Sequence, residues 1–117
     1  MSADIDELLP DSAVNLDIAA KDWRDAICLA GNALKESGFT TDEYTDQMIE
    51  TVEKMGPYIV IAPGLALAHS RPSEAVLKSG LSWIRLSTPV KFGNTANDPV
   101  SLAVSYTHLP SPRDLST

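Results

Sequence analysis

Five consecutive apolar residues, Tyr58-Ile59-Val60-Ile61-Ala62, stand between a Gly56-Pro57 pair and a Pro63-Gly64 pair. The run is short and punctuated on both sides, which predicts a buried strand rather than a helix. Leu65-Ala66-Leu67-Ala68 follows the second turn and resumes an extended course, ending at His69. Two extended segments joined by a tight turn fix where that histidine can lie, at the end of a strand. Such loops are where a rigid scaffold presents reactive groups.

Upstream the pattern is helical. Residues 4–9 predict a short helix stopped by Pro10, and residues 13–19 alternate loosely (Val14, Leu16, Ile18) as a strand. Asp22 is a candidate N-cap, with Asp25 in the favourable first turn. Trp23, Ala26, Ile27, Ala30 and Leu34 then share a face at helical spacing, and Gly38 supplies the C-terminal cap. Thr40-Thr41-Asp42-Glu43 has the form of a capping box opening a second helix. Tyr44, Met48, Ile49 and Val52 form its inner face, and Gly56-Pro57 ends it.

Downstream, residues 73–76 suggest a single helical turn and residues 81–86 a strand. Pro89-Val90-Lys91-Phe92 predicts a separate, short edge strand because of its proline. Residues 93–99 read as loop, and Val100-Ser101-Leu102-Ala103-Val104 begins a further strand. From Ser105 to the end the apolar period stops and Pro110 and Pro112 intervene, so residues 105–117 read as an exposed tail. Its composition also fits a stretch joined on from outside the native reading frame.

The 117 residues suit one domain, assigned here to residues 1–104, and 44% hydrophobic against 21% charged is a globular balance. A net charge of -7 argues against nucleic acid or anionic lipid as a main partner, because phosphate backbones select clustered Lys and Arg. No apolar run reaches bilayer length, and the N-terminus is acidic where a secretory signal is basic. The single cysteine, Cys28, excludes an internal disulfide and a multi-thiolate metal site. Together these features predict a cytosolic (cytoplasmic) protein.

His69 suits a phosphoryl relay for a physical reason. Neutral imidazole is a good nucleophile near neutral pH, and its phosphoramidate keeps a high transfer potential. One ring nitrogen must be unprotonated, so the other should donate to a carbonyl or similar acceptor. No metal and no cofactor are demanded, since the incoming group already sits on an activated carrier. Arg71 can clamp phosphate oxygens in a bidentate manner, and a plain solvated loop arginine is the equal alternative. Ser70 offers a hydroxyl contact, although a structural role fits it better.

The segment Gly-Pro-Tyr-Ile-Val-Ile-Ala-Pro-Gly-Leu-Ala-Leu-Ala-His-Ser-Arg-Pro, residues 56–72, resembles the active-site segment of the mannitol/fructose-type enzyme IIA family of the sugar phosphotransferase system. Gly-Pro-Tyr before it and Arg-Pro after it are most similar to the ascorbate-type branch. Asp22-Trp23-Arg24-Asp25-Ala26-Ile27, Pro89-Val90-Lys91-Phe92-Gly93 and Asn97-Asp98-Pro99-Val100 extend the likeness over residues 8–104. The resemblance implies an α/β fold, a central mixed β-sheet flanked by helices. It implies a phosphotransferase in which His69 takes a phosphoryl group from the phosphocarrier HPr. The group then passes to a cysteine of a IIB partner that feeds a membrane IIC transporter, for ascorbate or a related sugar acid or polyol.

Two positions depart from the family pattern. Proline usually precedes the histidine, and Ala68 stands here, with a freer φ. The family also carries a second histidine after the strand begun at Val100, then C-terminal helices. His108 lies too soon after Val100, and Pro110 follows where a helix should start. Without those helices one sheet face loses its cover, which predicts a homodimer or a weakened fold. A regulatory IIA-like protein and an inactive fragment are the competing functions.

Other residues have plainer readings. Cys28 is expected as a small buried hydrophobe, and Trp23 and Trp83 as core or half-buried aromatics. Asp42, Glu43, Asp46, Glu50 and Glu53 are expected on the solvated side of the second helix. Other branches place an arginine where Glu53-Lys54 stands, so Arg71 is expected to supply the cationic help. Asp98 is expected to cap a turn.

Overall fold

The computed structural model describes residues 5–71 and 73–107. Asp4, Pro72 and everything from His108 onward, including the tail's prolines, lie outside the described residues. A one-turn helix α1 (Ile5–Leu8) and a 3-10 turn (Asp11–Ala13) lead into β1 (Val14–Ile18). Two helices follow, α2 (Trp23–Glu36) and α3 (Asp42–Met55), and then β2 (Val60–Ala62), β3 (Leu65–Ala68), β4 (Gly80–Val90) and β5 (Val100–Thr107).

The strands form one mixed sheet in the order β1-β4-β5-β3-β2. β1 runs parallel to β4 and β3 parallel to β5, while β4–β5 and β2–β3 are antiparallel. The α/β architecture expected from the resemblance is therefore present. α2 lies on the face of β4 and β5, and α3 packs on α2. The apolar stripe expected on α2 is buried at Ala26, Ile27, Ala30 and Leu34, against Ile84 and Ala103 of the sheet. Asp22 caps α2 as expected, accepting from Asp25 N–H at 2.9 Å. Gly38, at φ +82°, ends the helix in the left-handed region that glycine tolerates.

Helices α2 and α3 approach closely because Gly31 has no side chain. A Cβ there would overlap the Thr45 side chain of α3. Gly31→Ala is expected to destabilise the protein by about 1–3 kcal/mol, since overpacking forces the helices apart. A thermal melt equal to wild type would remove this contact from the account.

Two serines lie among the apolar core residues. Ser82 and Ser105 are both fully buried. Ser82 Oγ donates to the Ala30 carbonyl at 3.1 Å, and Ser105 Oγ closes the chain on Ser82 Oγ. Each polar atom thus has a partner, which is the condition for burying it at low cost.

Several expectations are corrected. The tail does not begin at Ser105. Residues 105–107 complete β5, with Ala68↔Ser105 and Gly80↔Thr107 in register, and Ser105 buried. Pro89 does not start a separate edge strand, because Gly80 to Val90 is one strand with a register shift between Arg85 and Val90. That irregularity accommodates a residue that cannot donate to the ladder. The strand read over residues 58–62 starts only at Val60, and Tyr58 is 79% exposed. The capping box at Thr40 is absent. Thr41 is the N-cap without a side-chain bond, while Thr40 is buried in a bridge to Val76 and its Oγ1 has no hydrogen-bond partner among the described residues. No helix among the described residues is long and apolar enough to cross a membrane.

Candidate active site

β3 is fixed along its length before it delivers His69. Gly64, at φ +79°, makes the turn from β2, and its carbonyl accepts from Ser101 N–H at 2.9 Å and Leu102 N–H at 3.1 Å. Leu67 N–H donates to the Ile59 carbonyl at 2.7 Å. The parallel neighbour β5 stays in register to Ala68↔Ser105. His69 is the next residue, at the carboxyl end of a parallel strand pair, where open α/β sheets present their sites.

The imidazole is held on two sides. Its Nδ1 lies 3.1 Å from the Leu67 carbonyl oxygen. A carbonyl only accepts, so Nδ1 carries a proton, and in the neutral ring the lone pair lies on Nε2. The ring stacks on Tyr106 with centroids 5.0 Å apart and planes 17° from parallel. Two restraints on one ring fix its direction as well as its tautomer.

The backbone beyond His69 is anchored by Tyr44 of α3. Ser70 N–H donates to the Tyr44 hydroxyl at 3.0 Å, and that hydroxyl donates to the Tyr106 carbonyl at 2.9 Å. Burial, foremost, pushes the Tyr44 phenol up, so it stays protonated and able to donate. Ser70 Oγ lies 3.4 Å from Thr51 Oγ1, whose own proton goes to the Gln47 carbonyl at 2.8 Å. Ser70 therefore ties the loop to α3, the structural role expected of it.

A cleft of about 600 Å³ opens between α3 and this loop, bordered by His69, Ser70 and Arg71 on one side and by Gln47, Glu50 and Lys54 on the other. Arg71 is exposed and has no carboxylate partner among the described residues. Lys54 borders the same cleft, although the sequence points to Arg71 alone for cationic help. It donates to Glu50 at 2.8 Å. That pairing, through the hydrogen bond and the charge, holds the Glu50 carboxyl below its ordinary value and the Lys54 ammonium above it. Glu53 instead pairs with Arg24 at 2.7 Å. The signal was present in the sequence: Gln47, Thr51 and Lys54 recur at four and three residues, the spacing of one helix face.

Of the remaining residues singled out in the sequence, only Glu50 borders the cleft. Cys28 is half-buried on α2, and burial first, then Asp25, Asp46 and Asp22, push its thiol up, which keeps it unreactive. Trp23 is half-buried and Trp83 is 38% exposed. Asp42, Glu43, Asp46, Glu50 and Glu53 are all exposed, as expected. Asp98 caps its turn as expected, accepting from Phe92 N–H at 2.9 Å and Gly93 N–H at 2.8 Å.

The mixed sheet and its two long helices superpose on solved mannitol-type enzyme IIA structures. The mannitol-specific cryptic phosphotransferase enzyme IIA CmtB from Escherichia coli superposes with a TM-score of 0.78 at 28% identity, over 89% of this chain and 70% of that one. A chain of the Escherichia coli complex of enzyme IIAMTL and phosphorylated enzyme IIBMTL shares the fold at 23% identity, with a TM-score of 0.77, over 91% and 75%. Residues 7–108 match the family described as phosphoenolpyruvate-dependent sugar phosphotransferase system, EIIA 2, and the chain belongs to that family. The ascorbate-specific PTS system EIIA component of Escherichia coli K12 is 35% identical over 100 residues, 86% of this chain. The chain spans 65% of that relative's length.

Proposed function

We propose that this protein is a phosphocarrier in which His69 accepts a phosphoryl group and hands it on. The observation that carries this reading is the Nδ1 bond to the Leu67 carbonyl at 3.1 Å, which leaves Nε2 as the nucleophile in a cleft edged by Arg71 and Lys54. In the forward step the Nε2 lone pair attacks phosphorus of a phosphohistidine on HPr. The donor's N–P bond breaks, its electron pair returns to the donor imidazole, and the Nε2–P bond forms. The Nδ1 proton stays in place, and the Leu67 carbonyl steadies the positive charge that develops on the ring. Positioning and charge stabilisation carry the step, as is general for phosphoryl transfer.

The onward acceptor is a cysteine of a IIB component, which supplies a membrane IIC transporter; all of this chain's chemistry takes place in the cytoplasm. Ascorbate or a related sugar acid or polyol is the cargo, a reading supported by the name of the Escherichia coli relative. Incubating the protein with phosphoenolpyruvate, enzyme I and HPr should give an acid-labile, base-stable phosphate; a protein that takes no label would overturn the reading.

Arg71 is expected to hold the phosphoryl oxygens. Arg71→Ala should slow single-turnover transfer by about tenfold, the loss of one charged hydrogen bond, with the fold intact. Unaltered single-turnover rates would remove Arg71 from the site.

A further inference from the structure

The cleft contains an ion pair that the transfer step described above does not use. Glu50 and Lys54 are one turn apart on α3, and both border the space in front of His69. Their contact is 2.8 Å, yet their side chains are 62% and 71% exposed. An exposed pair of this kind is weak and opens easily, because water and side-chain entropy compete with it. A phosphoryl group brings nearly two negative charges and three acceptor oxygens, against one charge on a carboxylate. The same ammonium will therefore leave the carboxylate when the stronger anion arrives within its reach.

We infer that Lys54 is a second cationic ligand of the phosphoryl group on His69, and that Glu50 is the counter-charge that parks it while the cleft is empty. The inference rests on the phosphocarrier reading and adds an exchange to it. Loading His69 moves Lys54 from Glu50 to the phosphoryl oxygens, and no covalent bond other than those already described changes. Glu50 is then left unpaired beside a dianion. Its repulsion raises the energy of the loaded state, which keeps the group ready to leave. Lys54 is thus a ligand of the group, and Glu50 is a positioning residue acting through Lys54.

The test loads the whole chain with phosphoramidate, a small donor that phosphorylates imidazole without a protein partner, and follows label and its loss by phosphorus NMR. Lys54→Met should accept phosphate about tenfold more slowly, and its rate should depend less on ionic strength than the wild type's. Lys54→Arg should recover most of the rate. Glu50→Gln, which frees the lysine, should load about twofold faster and lose its phosphate more slowly. Circular dichroism should be unchanged for all three, because the pair is exposed; should Lys54→Met fold poorly, Glu50→Gln decides the matter. Wild-type rates and salt dependence in both Lys54→Met and Glu50→Gln would overturn the exchange while leaving His69 as the acceptor. Absence of label in the wild-type protein would overturn the His69 reading itself.

Discussion

His69→Ala should reduce acid-labile labelling by about a thousandfold or more, because it removes the atom that forms the covalent bond in the proposed transfer. Among the described residues no neighbour replaces it. Ser70 Oγ is turned to Thr51 at 3.4 Å, and the Cys28 thiol is pushed up by burial and lies away from the cleft. The substitution should leave the fold standing. His69 is half-buried and makes one hydrogen bond, so the stability cost is about 1 kcal/mol. The comparison is a single-turnover labelling series with matched melting curves. Undiminished label on a well-folded His69→Ala protein would transfer the chemistry to another residue.

Tyr44→Phe should produce the second large effect, on stability first and on transfer second. Tyr44 is 1% exposed, and its hydroxyl receives Ser70 N–H and donates to the Tyr106 carbonyl. Removing one oxygen keeps the ring and leaves Ser70 N–H without its acceptor. The cost is about 1–3 kcal/mol. In a domain of this size each kcal/mol moves the melting midpoint by about 4 °C. Transfer should also slow, by about tenfold, as the backbone next to His69 loosens. The same phenol sets an alkaline limit. Its pKa is raised above the ordinary 10.0, chiefly by burial, so the native state favours the protonated form. Its contribution is complete below pH 10 and declines as pH climbs through the raised native value. Tyr44→Phe should flatten that alkaline loss; an unchanged alkaline transition would exclude Tyr44 as its source.

Much of this was legible in the chain because local chemistry and tertiary packing agree. The apolar stripe of α2, the Asp22 cap and the Pro63-Gly64 turn each carry their own signal, and each lies where expected. The failures occur where tertiary contacts override that signal. Ser105 and Thr107 look like tail residues, yet they occupy inward positions of β5. Thr107 Oγ1 there donates to the Lys78 carbonyl at 2.7 Å. A period-2 search misses a strand whose inner face changes from alanine to hydroxyl residues. Thr40 resembles a helix cap, but pairing with Val76 draws it into the core. At Lys54 the likeness to a family position masks its place on one helix face with Gln47 and Thr51, which is what brings it to the cleft.

The pairing of β3 with β5 also sets an order in time. Leu65 aligns with Leu102, so the strand that delivers His69 meets its parallel neighbour only after that later segment has been made. At about 5–20 residues per second of synthesis, the separation of 37 residues corresponds to about 2–7 s. During that interval the histidine exists without the Ser105 register and the Tyr106 ring that fix it. A nascent chain halted before β5 emerges therefore carries the proposed nucleophile but not the oriented site, and phosphoryl acceptance should switch on late, with the completion of the sheet.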